Sequence, residues 1–407
     1  MNVIPPYKGV RDFYPEDERV QRYMFDAMRK VVESFGYEEM NASILEPTEL
    51  YAAKTSEEIV NEQTYTFIDR GERSVTLRPE MTPSVARMVA AKRRELGFPL
   101  RWYSIQNFFR YERPQRGRVR EFWQLNADIF GISGIEADAE IIHITHRIMQ
   151  SLGADNGHFR IHIASRGGID TIANKHGIAG DALNNLLKLL DKKEKMAKEE
   201  FAEQLTKFDI TLEEIESREG MPEETGKLLA LISEDVGNAL YDPSIVRGFN
   251  YYTGMVFEVF DTNPENPRAM FGGGRYDNLI EKYGGDSVPA VGFALGDVTM
   301  RNFLETHKLL EPKKLKPATH LYLVPKKEED VSGAVALAEK LRAKGANVAL
   351  SMAGDDSKPA RKHGIPYFAV YGADEETSQT LTIKNLDTDE KETLAFDAVA
   401  EFVLPRR

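Results

Sequence analysis

Two aromatic-rich runs, RWYSIQNFFRYE at 101–112 and RVREFWQLNADIFG at 118–131, stand on either side of the turn RPQRG. Aromatic and β-branched residues suit the pleated, half-buried surface of a strand, and a proline and a glycine between two such runs turn the chain back on itself. The pattern predicts one long antiparallel hairpin. Such a ribbon needs further strands or a covered face before it is stable. The hairpin also carries concentrated charge. Residues 107–124 hold Arg110, Arg113, Arg116, Arg118 and Arg120 against Glu112 and Glu121, in a chain whose formal net charge is −12. That net charge argues against a general coat for nucleic acid or anionic membrane and leaves the arginines as a local site.

The remaining elements follow from period and punctuation. PEDERVQRYMFDAMRKVVESFG reads as a helix, with Pro15 at its first turn, Glu16, Asp17 and Glu18 against the positive end of the dipole, a stripe of Val20, Met24, Ala27, Val31 and Phe35, and Gly36 as its stop. TYTFIDRGERSVTLRPE is a second hairpin, and a helix is expected at about 83–95. From 180 to 236 the chain is charged and helical, with a coiled coil as a weaker alternative because the heptads do not persist. Strand character returns in VRGFNYYTGMVFEVF, followed by the loop DTNPENPRAM, FGGGRYDNLIEKYGG, and a strand running into a helix in VPAVGFALGDVTMRNFLE. After EPKKLKP, strands and helices alternate in an α/β module of about 90 residues. The expected organisation is therefore 1–316, with a helical insertion at about 172–236, and 317–407.

Composition removes several chemistries. The 407 residues include no cysteine, so disulfides, thiolate zinc sites and a Cys nucleophile are excluded. No apolar run nears the ~20 residues that span a bilayer, and MNVIPPYKGVRDFYPEDE lacks the apolar core of a signal peptide, so a cytoplasmic protein without a membrane partner is expected.

In an unbroken strand Arg118, Arg120 and Phe122 share a face, and Arg110 on the partner strand can oppose them. Planar guanidinium forks beside an aromatic ring suit a nucleotide, the forks for phosphate and the ring for the base. A solvated basic ribbon with structural ion pairs is the plainer alternative. TLRPEMTPS gathers Arg78, Glu80 and Thr82 after a strand, and RGFNYYTG packs Arg247, Asn250, Tyr251, Tyr252 and Thr253 into eight residues. FGGGRYD is compatible with close backbone approach to a ligand or with a tight turn.

These segments resemble the class II aminoacyl-tRNA synthetases, and within them the histidyl-tRNA synthetase family. FRYERPQRGRVREFWQ is similar to motif 2 of the class, and LRPEMT and RGFNYYTG to the family's histidine signatures; the similarity runs from YKGVRDFYPED almost to the end. The resemblance implies an α+β fold: a class II catalytic domain built on an antiparallel sheet flanked by helices, a helical insertion and a C-terminal α/β anticodon-binding domain. It also implies a two-step reaction: the carboxylate of L-histidine attacks the α-phosphorus of ATP, and the histidyl group then passes to the 3′ end of tRNA(His). The nucleophile is already ionised at pH 7, so catalysis rests on alignment and on countering charge at phosphorus. By family position Arg110 and Arg247 are the catalytic cations at the α-phosphate. Arg113 and Arg118 would meet the outer phosphates with Mg²⁺, the expected cofactor, and Phe122 would stack on adenine. Gln115 and Arg116 would touch the tRNA acceptor end. Glu80 and Thr82 would hold the substrate ammonium, and Asp128 and Tyr252 the two imidazole nitrogens. Gln124, Tyr251 and Arg247 complete that pocket. No protein-held metal is expected, and a homodimer is.

The chain departs from the family in places. Asp128 stands where Glu is frequent, Ser43 where motif 1 usually has proline, and Thr299 where motif 3 has an arginine. Arg301 lies about 200° round a helix from that position and should not replace it. The last module is shortened before GIPYF, and over 317–407 it holds 12 Lys/Arg against 15 Asp/Glu, net −3. Two other functions fit the resemblance: a non-catalytic regulatory subunit of histidine biosynthesis, and a paralogue with another acceptor. An intact RGFNYYTG and a C-terminal module count against the first.

Overall fold

A computed structural model describes residues 4–52, 63–190, 193, 196–217, 221–245, 251–312 and 315–404. They fall into two compact units, Met1–Leu309 and Leu310–Arg407.

The first unit opens with α1 (Pro15–Ser34), Pro15 in its first turn. Its buried stripe is Val20, Met24, Met28 and Val32. These recur every four residues and place the stripe one residue beyond Ala27 and Val31, which lie on its flank. Gly36 takes φ 82 after the helix, as its predicted stop requires. Strands β1 (Glu38–Glu39) and β2 (Leu45–Pro47), helix α2 (Glu49–Ala52), the hairpin β3 (Tyr65–Ile68) and β4 (Ser74–Leu77), and α3 (Thr82–Lys92) follow. Then come the long hairpin β5 (Leu100–Phe109) and β6 (Glu121–Phe130), α4 (Ile135–Ser151) and β7 (Phe159–Ser165). Helices α5 (Arg166–Lys175), α6 (Gly180–Leu190), α7 (Lys198–Thr206), α8 (Leu212–Glu216) and α9 (Glu223–Ile232) precede β8 (Ala239–Tyr241), β9 (Met255–Asp261), β10 (Ala269–Arg275), β11 (Ala290–Gly296) and α10 (Asp297–Thr306).

Eight of these strands form one sheet, in the order β1-β5-β6-β11-β10-β9-β7-β8. Its interior pairs are antiparallel, as the aromatic hairpin predicted, and the edge pairs β1–β5 and β7–β8 are parallel. Strand β6 pairs with both β5 and β11 over most of its length. Its two faces do different things. Trp123 packs against Phe25 of α1 at 6.0 Å, so α1 covers that face. Phe122, Gln124, Asn126 and Asp128 look the other way, into a cavity. Above Leu100 and Phe130, α3 closes part of the same side with Val85, Ala86 and Val89. The inserted helices α5–α8 bury Ile172, Leu186, Phe201, Leu205 and Ile215 in a core of their own, a small helical cluster rather than a coiled coil.

A buried ion pair fixes where β10 ends. Arg275 donates through Nη2 to Asp138 at 2.8 Å, through Nη1 to the Ile132 carbonyl at 2.9 Å, and through Nη2 to the Gly134 carbonyl at 3.0 Å. Burial raises the Asp138 carboxyl to about 6, and Arg275 opposes the rise. Asp138→Ala leaves the buried guanidinium with one carboxylate, Asp277 at 3.2 Å, and is expected to lower the unfolding free energy by about 1–3 kcal/mol. An unchanged urea midpoint would show that the pair is not held as described.

The second unit contains β12 (Leu321–Pro325), α11 (Val331–Ala343), β13 (Val348–Leu350), α12 (Lys358–Lys362), β14 (Tyr367–Tyr371), α13 (Ala373–Ser378), β15 (Thr380–Asn385), β16 (Lys391–Ala395) and α14 (Phe396–Val403). Its sheet order is β13-β12-β14-β15-β16, with the first two pairings parallel and the last two antiparallel. Leu337, Leu341, Val399 and Val403 of α11 and α14 bury against Leu321, Leu323, Leu381 and Ile383. The shortened segment before GIPYF is the five-residue α12, which tolerates Pro359 because the proline lies in its first turn.

Candidate active site

The hairpin tip is tight. Gln115 and Arg118 exchange backbone hydrogen bonds of 3.0 and 2.9 Å around Gly117, whose φ of 79 suits glycine. Regular β6 begins only at Glu121. The chain is therefore not a continuous strand over 118–122, and the predicted common face of Arg118, Arg120 and Phe122 does not form. Arg118 and Phe122 line the cavity. Arg120 is buried elsewhere, between Tyr111 and Tyr7 at 4.1 and 5.4 Å, donating to the Glu112 carbonyl at 3.1 Å and to the Tyr7 hydroxyl at 2.9 Å. Its amide donates to the Gly9 carbonyl at 2.6 Å. Arg120 thus ties residues 7–9 to the base of the hairpin.

The cavity, about 310 Å³, runs along β6. At the hairpin end Arg110 lies 5.2 Å over the Phe122 ring and donates through Nε to the Pro79 carbonyl at 3.0 Å. Burial lowers its pKa, while Glu80 and Glu112 raise it; a guanidinium keeps its charge through such shifts. Arg118 stands 3.3 Å from Glu112.

At the far end lies Asp128, six residues from Phe122 and so about 20 Å along the strand. Its carboxylate accepts from the Tyr276 hydroxyl. Burial raises the Asp128 carboxyl to about 7, opposed by that hydrogen bond, and burial together with the same carboxylate pushes the Tyr276 hydroxyl well above its usual range. Tyr276 therefore stays a donor. Glycine beneath makes room. Gly292 faces Asp128 across the β6–β11 pair, and a Cβ there would sit 2.0 Å from Asp128 Oδ1 and 2.7 Å from the Ala127 carbonyl. Gly292→Ala must push the carboxylate aside. It is expected to lower stability by about 1–3 kcal/mol, readable in thermal melts.

Glu80 and Thr82 line the cavity where α3 begins, and Tyr251 donates to Glu80 Oε2 at 3.3 Å. Gln124, Tyr251 and Tyr252 line it too. Nine residues predicted for the site thus meet in one cavity: Glu80, Thr82, Arg110, Arg118, Phe122, Gln124, Asp128, Tyr251 and Tyr252. Arg113 is exposed and is not among the lining residues. Gln115 and Arg116 line a neighbouring cavity of about 530 Å³ instead. Arg247 and Asn250 lie outside the described residues.

Arg78, next to the predicted site in sequence, has a structural role. It is fully buried, donating to the Asn107 and Ala42 carbonyls at 2.9 and 2.7 Å and to Gln106 Oε1 at 3.0 Å. Residue 299 is threonine, its hydroxyl donating to the Met270 carbonyl at 2.9 Å. As the helical geometry predicted, Arg301 turns away, donating to Asp17 and Glu305 at 2.9 Å each. FGGGRYD is neither a tight turn nor a free loop. Its glycines belong to β10, where Gly272 lines the cavity and a Cβ on Gly273 would come within 2.0 Å of the Gly292 carbonyl.

Three further lining residues, Tyr276, Gly292 and Glu258, escaped the sequence reading. A glycine inside a strand pattern was the available signal for Gly292, because it marks a close approach.

Comparison with known proteins agrees with this geometry. A family model described as Histidyl-tRNA synthetase matches residues 9–298, and one described as Anticodon binding domain matches residues 320–406. The histidine–tRNA ligase of Leptospira biflexa is 38% identical over 416 residues, covering 96% of this chain and 95% of the relative. Among solved structures, histidyl-tRNA synthetase from Nostoc sp. PCC 7120 superposes with a TM-score of 0.82 at 23% identity, covering 99% of each chain. A Bacillus halodurans protein titled as an ATP phosphoribosyltransferase regulatory subunit/histidyl-tRNA synthetase gives 0.73 at 21% identity, covering 92% of this chain and 100% of that one. At those identities the likeness is one of fold. The family model over most of the first unit and the near-full-length relative decide the rest: the chain belongs to the histidyl-tRNA synthetase family.

Proposed function

We propose that the protein is a histidine–tRNA ligase. It joins L-histidine to ATP as histidyl-adenylate and passes the histidyl group to the 3′ end of tRNA(His). One observation carries this reading: a single sheet face holds, at one end, a guanidinium packed on an aromatic ring, Arg110 over Phe122, and at the other a buried acceptor–donor pair, Asp128 and Tyr276. The first end suits a nucleotide phosphate and base. The second suits a ring N–H, because the Tyr276 proton is spent on the Asp128 carboxylate and holds it as an acceptor. A substrate without imidazole leaves the Asp128 carboxylate without its ring N–H partner, and sites of this kind can penalise such a loss by about 10⁴.

In the mechanism proposed, Glu80 and Thr82 hold the substrate ammonium, and Asp128 accepts the imidazole N–H. Tyr252 donates to the other ring nitrogen, with Gln124 and Tyr251 closing the pocket. The carboxylate then points at the α-phosphorus, where Arg110 and Arg247 offset the charge that develops. Phe122 stacks on adenine, and Arg118 and Arg113 meet the outer phosphates. Mg²⁺ travels with ATP. The residues suit it as a hard cation, because Glu112 and Glu258 supply carboxylate oxygens to the cavity wall, while among the described residues no cluster of three or more candidate ligands would hold a metal alone. Gln115 and Arg116, at the tip, are assigned to the tRNA acceptor end.

The domain reading assigns catalysis to 1–316 and anticodon contact to 317–407. A homodimer is proposed, with Ile44, Leu45, Phe67 and Ile68, all exposed around the three-stranded sheet β2-β4-β3, as apolar surface for a second copy. No helix among the described residues is long and apolar enough to cross a membrane, and a cytoplasmic location is proposed.

Pyrophosphate exchange into ATP that depends on L-histidine, followed by charging of tRNA(His), tests the function. A regulatory subunit would show no exchange. A paralogue with another acceptor would exchange without charging tRNA.

A further inference from the structure

The cations around the two cavities are unequally committed. Arg110 donates to Pro79, and Arg118 stands 3.3 Å from Glu112. Lys193 donates to the Ser244 hydroxyl at 2.7 Å, and Arg116 donates to Thr306 at 3.4 Å with Glu265 at 3.9 Å. Arg268 differs. It is exposed on the wall of the larger cavity, and it has no ion pair, hydrogen bond or ring contact among the described residues.

Its place in the fold gives that freedom a use. Arg268 immediately precedes β10, two residues before Met270, whose carbonyl accepts from Thr299. Met270, Thr299, Gly117 and Arg118 line both cavities. Arg268 therefore stands where the larger cavity meets the nucleotide end of the smaller one, beside the position at which this chain carries threonine. Among the described residues the smaller cavity is short of positive charge: Glu80, Glu112, Asp128, Glu258 and Asp297 line it against Arg110 and Arg118. A triphosphate entering it needs cations from outside that wall.

We propose that Arg268 binds the outer phosphates of ATP, supplying from the residue before β10 the guanidinium that residue 299 does not. This rests on the ATP-dependent reading above. Among the described residues the side chain holds nothing, so it can swing to the ligand without breaking a contact there, and its planar fork suits a phosphate oxygen pair.

Arg268→Ala and Arg268→Lys test the assignment. Both variants should melt at the wild-type temperature. In histidine-dependent pyrophosphate exchange, KM for ATP is expected to rise ~10- to 100-fold in the alanine variant and less in the lysine variant. KM for L-histidine and inhibition by AMP, which lacks the outer phosphates, should not move. Binding of inorganic tripolyphosphate, followed by calorimetry, should weaken in parallel and needs no histidine activation. Wild-type protein without exchange, together with tripolyphosphate binding that Arg268→Ala abolishes, would sink the ligase reading and keep this one. Unchanged ATP KM and tripolyphosphate affinity would overturn it. A defect confined to tRNA charging would overturn it too, by placing the phosphate on RNA.

Discussion

Arg110→Ala is expected to reduce histidine-dependent pyrophosphate exchange by about two to three orders of magnitude, the effect of removing one preorganised donor from a charge-developing centre. The geometry explains why neither of the two described hairpin arginines nearest it replaces it. Arg118 faces Glu112 at 3.3 Å, and Arg120 is sealed between Tyr7 and Tyr111. Arg110→Lys should fare little better, because an ammonium has no fork and lies less well over Phe122. Stability should fall only modestly. The one hydrogen bond lost, to the Pro79 carbonyl, contributes roughly 1 kcal/mol, or a few degrees in Tm. Exchange near the wild-type rate in a folded Arg110→Ala variant would remove the arginine from the chemistry.

Asp128→Asn should separate activity from stability. The Asp128 carboxyl is raised to about 7 by burial, so between about pH 4 and 7 the folded state binds the proton more tightly than the unfolded chain. Its stability contribution is full below pH 4 and disappears as pH rises through 7. Asparagine never ionises and can still accept from Tyr276. The variant should therefore lack this pH dependence and at pH 8 unfold later than wild type, by at most about 4 kcal/mol. Exchange should meanwhile fall by about 100-fold or more, because a neutral amide accepts weakly from imidazole and adds an unwanted donor. Urea midpoints at pH 5 and pH 8, measured beside exchange rates, check both halves. A variant that loses stability at pH 8 would contradict the buried-carboxyl account.

Much of the fold could be read from residue order alone, for local reasons, whereas the roles of the site residues came through the family resemblance. The aromatic runs around RPQRG, the first-turn Pro15 of α1 and the change of period after EPKKLKP act within a few residues of themselves. What stayed hidden depends on register. Gly292 matters because it lies opposite Asp128, and Tyr276 because its hydroxyl reaches back 148 residues to the same carboxylate. Neither pairing follows from local spacing. Arg120 failed for another reason: two-residue alternation was carried through a segment that turns about Gly117 and joins the strand only at Glu121. Arg301 succeeded because helical angle is a local property.

Residues 7–11 have one more consequence, for synthesis. Tyr7 and Gly9 are held by Arg120, and Arg11 donates at 2.7 Å to Asp297, whose other oxygen accepts from the Trp123 amide at 2.9 Å. Arg11 leaves the ribosome 286 residues before its partner, a wait of roughly 15 to 60 s at ordinary elongation rates. The Arg11–Asp297–Trp123 link at the base of the hairpin is therefore made only once most of the message has been translated, and a nascent chain cut short before α10 has only the Arg120 contacts to hold residues 7–9.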